Sequence, residues 1–118
     1  MPKILLLAAA ALALASSIGL AKTPAAAAVP KAVTVEIRDM KYEPATLTIT
    51  AGTMVTWINE DTMPHTVTDR NRMFHSAALD TKDSFSYTFA TPGEFTYFCT
   101  IHPFMVGKVI VKPAGSPS

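Results

Sequence analysis

Gly93 to Val111 reads GEFTYFCTIHPFMVGKVIV, two alternating runs separated by a short loop. In the first run Phe95, Tyr97 and Cys99 share one face, with Glu94, Thr96 and Phe98 on the other. Side chains that alternate with period two belong to a half-buried strand. The second run, Gly107 to Lys112, sets Val109 and Val111 against Lys108, Ile110 and Lys112 in the same way. The loop between them, CTIHPFM, holds the chain's only cysteine.

The same alternation recurs upstream. Val33, Val35 and Ile37 oppose Thr34, Glu36 and Arg38; Thr46 to Thr50 turns Leu47 and Ile49 inward; Met54 to Asn59 does so with Val55 and Trp57, and Ser84 to Phe89 with Phe85, Tyr87 and Phe89. Turn signals at Ala51-Gly52, Asn59-Glu60-Asp61 and Pro92-Gly93 punctuate the runs. Helical periodicity is nearly absent, and there is no internal repeat. About seven or eight short strands at this spacing predict an all-β antiparallel sandwich or barrel.

At 118 residues and 49% apolar composition, the chain has room for one small-cored domain. Residues 1–21 read as a secretory signal: Lys3 precedes the unbroken apolar run Ile4 to Ala15, and Gly19-Leu20-Ala21 supplies a cleavage site after Ala21. An uncleaved anchor is the alternative, since the apolar stretch extended to Ala21 approaches the roughly 20 residues of a spanning helix. No cysteine follows for lipid attachment, and twin arginines are absent. Residues 22–30 form a low-complexity leader containing TPAAAAVP, residues 31–113 the folded domain, and residues 114–118 a flexible tail. The expected location is the periplasm. Loss of residues 1–21 takes Lys3 alone from the 10 basic residues and leaves nine against 9 acidic ones, so bulk attraction to nucleic acid is excluded.

Export raises the question of Cys99, which has no partner in a compartment that forms disulfides. Taken alone, a buried cysteine is a small apolar residue. Its neighbours say more. His102 follows three residues later and Met105 three after that, and His65 stands in TMPHTV just beyond the Met54 to Asn59 run. Thiolate and thioether are soft donors and imidazole is intermediate, a mixture that suits copper as both Cu(I) and Cu(II) and that zinc rarely takes. Two histidines and a cysteine with a weak axial methionine is the arrangement of a blue-copper site. Bound metal would keep the thiolate occupied. His75 reads as a loop residue, and Met40, Met54 and Met63 as packing or surface residues.

On these residues the chain resembles the cupredoxins. MKYEPATLTITAGTMVTWINEDTMPHTV, Met40 to Val67, and Gly93 to Val111 carry the likeness, with Phe85 to Phe89 also fitting. The compact spacing around His102 is nearest to the amicyanin group. The resemblance implies a Greek-key β-sandwich holding one type 1 copper through His65, Cys99 and His102, with Met105 axial. It implies periplasmic carriage of single electrons, with methylamine dehydrogenase as donor and a c-type cytochrome as acceptor. It also implies that His102 leaves Cu(I) on protonation at low pH. Three positions depart from the family pattern: Thr66 replaces an asparagine that braces the ligand loop, Ile101 replaces a proline, and Arg70 to Asp83 matches poorly and is short.

His102 is expected to be the ligand that reaches the surface, ringed by an apolar patch of Pro64, Pro103, Phe104 and Met63 through which a monomer meets redox proteins. A periplasmic copper chaperone or scavenger is the alternative function. Thiol hydrolysis, with Cys99 attacking and His65 or His102 as base, would need an exposed thiol.

Overall fold

A computed structural model describes residues 31–115; the predicted signal, the leader and residues 116–118 lie outside the described residues. Eight strands follow in order: β1 Ala32–Arg38, β2 Lys41–Glu43, β3 Thr46–Thr50, β4 Thr53–Asn59, β5 Thr68–Asp69, β6 Ser84–Phe89, β7 Gly93–Phe98 and β8 Val106–Lys112. They form two four-stranded sheets, ordered β2-β1-β4-β6 and β3-β8-β7-β5. Among the described residues no helix is long and apolar enough to cross a membrane.

The expectation of wholly antiparallel pairing is corrected: β1 runs parallel to β4, and β3 parallel to β8. The cause is the chain's route. After the β1–β2 hairpin it crosses to the second sheet for β3 and returns for β4, which therefore lies beside β1 in the same direction.

The predicted alternation meets the burial pattern strand by strand. Val35, Ile37, Val55, Trp57, Tyr97 and Val109 have no exposed surface and face one another between the sheets. Trp57 is the hub: Tyr97 meets it edge-on at 5.3 Å between ring centroids, and Phe74 stacks on it at 5.9 Å. Phe74 and Leu79 are buried core residues from the segment between β5 and β6, which the sequence presents as a polar connection. Bridges from Thr68 to His75 and from His65 to Leu79 hold that segment against the sheet. Exposed His75 is a loop residue as expected.

One close approach fixes how β7 meets β8. A Cβ at Gly107 would lie 2.3 Å from Tyr97 Cζ, so only glycine lets the buried phenol ring lie across β8.

Two short strands have no clear sequence signature. Strand β2 pairs with β1 through a two-residue loop in which Asp39 and Met40 both take positive φ, 55° and 59°. That is the twist a tight hairpin demands, normally supplied by Asn-Gly. Here the side chain of Asp61 holds the turn instead. Its Oδ1 accepts the Asp39 N–H at 2.7 Å and its Oδ2 the Met40 N–H at 3.0 Å.

Candidate metal centre

The site lies at the end of the sandwich where β4 and β7 finish. Alternation carries Cys99 to the core side just beyond β7, where it is wholly buried. The chain then turns back on itself: Met105 N–H donates to the His102 carbonyl at 2.9 Å, and Cys99 N–H to the Met105 carbonyl at 3.2 Å. This closes CTIHPFM into a compact loop and leaves Met105 buried at its end.

His65 comes from the loop between β4 and β5, and Asn59 puts it there. The Asn59 amide, with no exposed surface, donates to the carbonyls of Met63 and Leu79, both at 2.8 Å, while its oxygen accepts the Asp61 N–H at 2.8 Å. Asn59 thus pins the start of the loop that delivers His65 and ties it to the Leu79 segment beside it. His65 itself is fully buried.

These elements bring His65, Cys99 and His102 together, with one donor atom from each inside 4.8 Å of the others. Cys99 Sγ stands 3.8 Å from His65 Nδ1 and 3.7 Å from His102 Nδ1, and the two nitrogens are 3.2 Å apart. A point equidistant from all three atoms lies about 2.1 Å from each, the bond length imidazole takes to a first-row metal ion. The protonation pattern agrees. His65 Nε2 lies 2.8 Å from Asp61 Oδ2, so its proton sits there and the Nδ1 lone pair turns toward Cys99 and His102. Donor chemistry, spacing and tautomer all fit a copper ion.

Asp61 therefore serves two structures at once, the first hairpin turn and the His65 imidazole. Burial pushes its carboxyl up, but the hydrogen bonds from Met40, His65 and Asp39 outweigh that and hold it below the usual carboxylate value. By sequence Asn59 and Asp61 read only as turn residues; the signal for Asp61 is its place four residues before the histidine.

Thr66 braces the site more fully than its short side chain suggests. Its N–H donates to Cys99 Sγ at 3.3 Å, and its Oγ1 accepts the Thr100 N–H at 2.8 Å. The hydroxyls of Thr100 and Thr68 stand 3.1 and 3.3 Å from that oxygen, so three threonines span the gap together. Beneath them Tyr42 Oη donates to the Thr66 carbonyl at 2.7 Å. Burial, and secondarily the nearby Cys99 and Tyr97, push the Tyr42 hydroxyl far up, which keeps it a neutral donor.

His102 is partly exposed, and the Phe104 ring stands edge-on to it at 6.1 Å. Phe104 is 71% exposed, and of the two site imidazoles only His102 approaches solvent. Cys99, with no exposed surface, cannot meet a substrate as a nucleophile.

This fold and this donor set define a cupredoxin. The family model described as a cupredoxin-like domain matches residues 5–111, and the chain belongs to that family. Amicyanin from Paracoccus versutus is 45% identical over 97 residues, spanning 77% of this chain and 74% of that protein. Amicyanin from Paracoccus denitrificans is 42% identical over 86 residues, 69% of this chain and 66% of its own. Among solved structures, a reduced mutant amicyanin superposes with a TM-score of 0.66 at 37% identity, covering 69% of this chain and 82% of that one. A purple cupredoxin from Nitrosopumilus maritimus does so at 0.64 and 33% identity, covering 68% and 99%. The chain is a copper-binding electron-transfer protein of this family.

Proposed function

We propose that this chain is a periplasmic, amicyanin-like carrier that takes single electrons from an amine dehydrogenase, such as methylamine dehydrogenase, and passes them to a c-type cytochrome. His65, Cys99 and His102 would hold the copper, and Met105, buried at the end of the same loop, would add a weaker thioether ligand. Bound copper supplies a one-electron Cu(I)/Cu(II) couple. The protein supplies a frame. Asn59, Asp61 and Thr66 fix the ligand-bearing segments from outside, so the donors change position little between oxidation states.

The observation that carries this reading is the contrast between two histidines: His65 is sealed and braced, while His102 reaches the surface beside the exposed Phe104 ring. A site built to release its metal needs an exit for the ion. A site built to exchange electrons needs only one ligand edge at a surface suited to brief contact.

Repeated reduction and oxidation in the presence of a chelator tests the assignment. The carrier keeps its copper through the cycles and exchanges electrons with a c-type cytochrome; a chaperone or scavenger loses copper to the chelator on reduction. Export is checked by sequencing the N-terminus of the protein from its native compartment, expected to begin just after Ala21.

A further inference from the structure

Strands β2 and β6 edge one sheet, and β3 and β5 the other. An edge strand presents unpaired N–H and C=O groups, and folds commonly blunt it by shortness, charge, proline or a bulge. Strand β2 has 3 residues, among them Lys41 and Glu43, and β5 has 2. In β3 the closing residues Ile49 and Thr50 are buried. Strand β6, SFSYTF, runs for 6 residues with no charge, proline or bulge. Its outer-face side chains Ser84, Ser86 and Thr88 are exposed, and Met54, Thr56 and Ile58 beside them on β4 add no charge.

Hydrogen bonds at both ends of the β4–β6 ladder set which backbone groups point away from the sheet. Asn59 N–H donates to the Asp83 carbonyl at 3.0 Å, and Gly52 N–H to the Phe89 carbonyl at 2.7 Å. Bonded and non-bonded pairs alternate along an antiparallel ladder. Asp83, Phe85, Tyr87 and Phe89 therefore turn their N–H and C=O groups toward β4, and Ser84, Ser86 and Thr88 turn theirs outward. The Thr56 and Ser86 hydroxyls, 2.7 Å apart, agree with that phase, because side chains come closest at non-bonded pairs. Among the described residues no backbone group pairs with the outward row.

We propose that β6 is the seam of a weak, reversible homodimer, in which the β6 strands of two copies of this chain pair antiparallel about a two-fold axis at Ser86. The outward row is self-complementary in that register. Ser86 faces Ser86 of the second copy and Ser84 faces its Thr88, so each outward N–H meets an outward carbonyl. On the core side half-buried Phe85 faces half-buried Tyr87 of the second copy, an aromatic cross-strand pair. Asp83 falls opposite Phe89 and Lys82 opposite Ala90, so no like charges meet along the seam. One strand seam covers less than the roughly 1,200–2,000 Å² of stable interfaces, which makes the pair a transient one. Strand β6 starts at the metal end, where Asp83 meets Asn59, so antiparallel pairing sends the two metal sites to opposite ends and leaves each His102 open. The expected monomer thereby becomes one half of a concentration-dependent pair, whatever the site carries.

The test uses the full exported chain, ¹⁵N-labelled, copper-loaded and reduced so that Cu(I) is diamagnetic. Between about 20 μM and 2 mM the apparent hydrodynamic radius rises by up to about 1.3-fold, the change that doubling the mass of a compact particle brings. Amide hydrogen exchange at Ser84, Ser86 and Thr88 slows over the same range, while that at Thr46 and Thr48 of β3 does not. Ser86→Lys and Ser86→Glu each set like charges against one another on the axis and each stay monomeric at the highest concentration; an equimolar mixture of the two regains the larger radius. Thr48→Lys, on β3, changes nothing. A radius independent of concentration overturns the proposal, as does pairing that survives both Ser86 variants, pairing lost in Thr48→Lys, or a mixture that stays monomeric. Near-ultraviolet circular dichroism checks that each variant is folded; where one is not, the wild-type radius and exchange decide. Protection of Ser84, Ser86 and Thr88 that ignores concentration and disappears in a chain beginning at Lys31 puts residues 22–30 on this edge and overturns the second copy.

Discussion

Asp61 Oδ2 lies 2.8 Å from His65 Nε2, and the same carboxylate caps the Asp39-Met40 turn, so the first hairpin and the metal site share one anchor. Asp61→Asn keeps the shape but removes the charge from three hydrogen bonds. Equilibrium unfolding of the copper-free variant should show a loss of about 1–3 kcal/mol. Copper affinity should fall about 10–100-fold, because His65 loses the partner that fixes its tautomer. Unchanged affinity would show that the imidazole is held by packing alone.

The same residue sets a pH dependence. Asp61 has a folded pKa below its ordinary value, near 3.9, so it contributes its full stability above that value. The contribution is lost as pH falls through the lower folded value. Unfolding free energy of the copper-free protein measured between about pH 5 and 2 should decline less steeply in Asp61→Asn than in the wild type. Equal slopes would contradict the assignment.

Thr66→Val deletes the hydroxyl that accepts the Thr100 N–H while leaving the backbone bond to Cys99 Sγ. The expected cost is about 1–2 kcal/mol of stability, with the blue colour retained. A colourless variant would show that the threonine bridge positions the thiolate itself.

Gly107→Ala drives a methyl group into the Tyr97 ring. Thermal unfolding should come roughly 5–20 °C lower, the consequence of about 1–3 kcal/mol of overpacking in a domain of this size. A midpoint within a degree or two of wild type would mean that β8 shifts freely.

Phe104→Ala removes the most exposed ring beside His102. The blue colour should persist while electron exchange with a c-type cytochrome slows. Unchanged exchange would place the productive contact away from the His102 surface.

Much of this was legible in the sequence because strand alternation and ligand spacing are local. The period-two runs gave six of the strands their faces, and CTIHPFM with His65 named the donors that the fold brings together. What stayed hidden depends on contacts distant in sequence. The β1–β2 turn lacks glycine because Asp61, more than twenty residues away, holds it. Phe74 sits in a polar stretch with no strand period, and its burial rests on Tyr87, Phe89 and Trp57, all distant from it in sequence. Parallel pairing of β1 with β4 follows from the crossover between sheets, which no single run records.

The optical spectrum of the copper-loaded protein, compared with Cys99→Ser, tests the central claim most directly. An intense blue absorption in the wild type, lost in Cys99→Ser, is the result expected of a bond from the Cys99 thiolate to a copper ion also held by His65 and His102. A wild type that binds copper without that colour, or a serine variant that keeps it, would contradict the account.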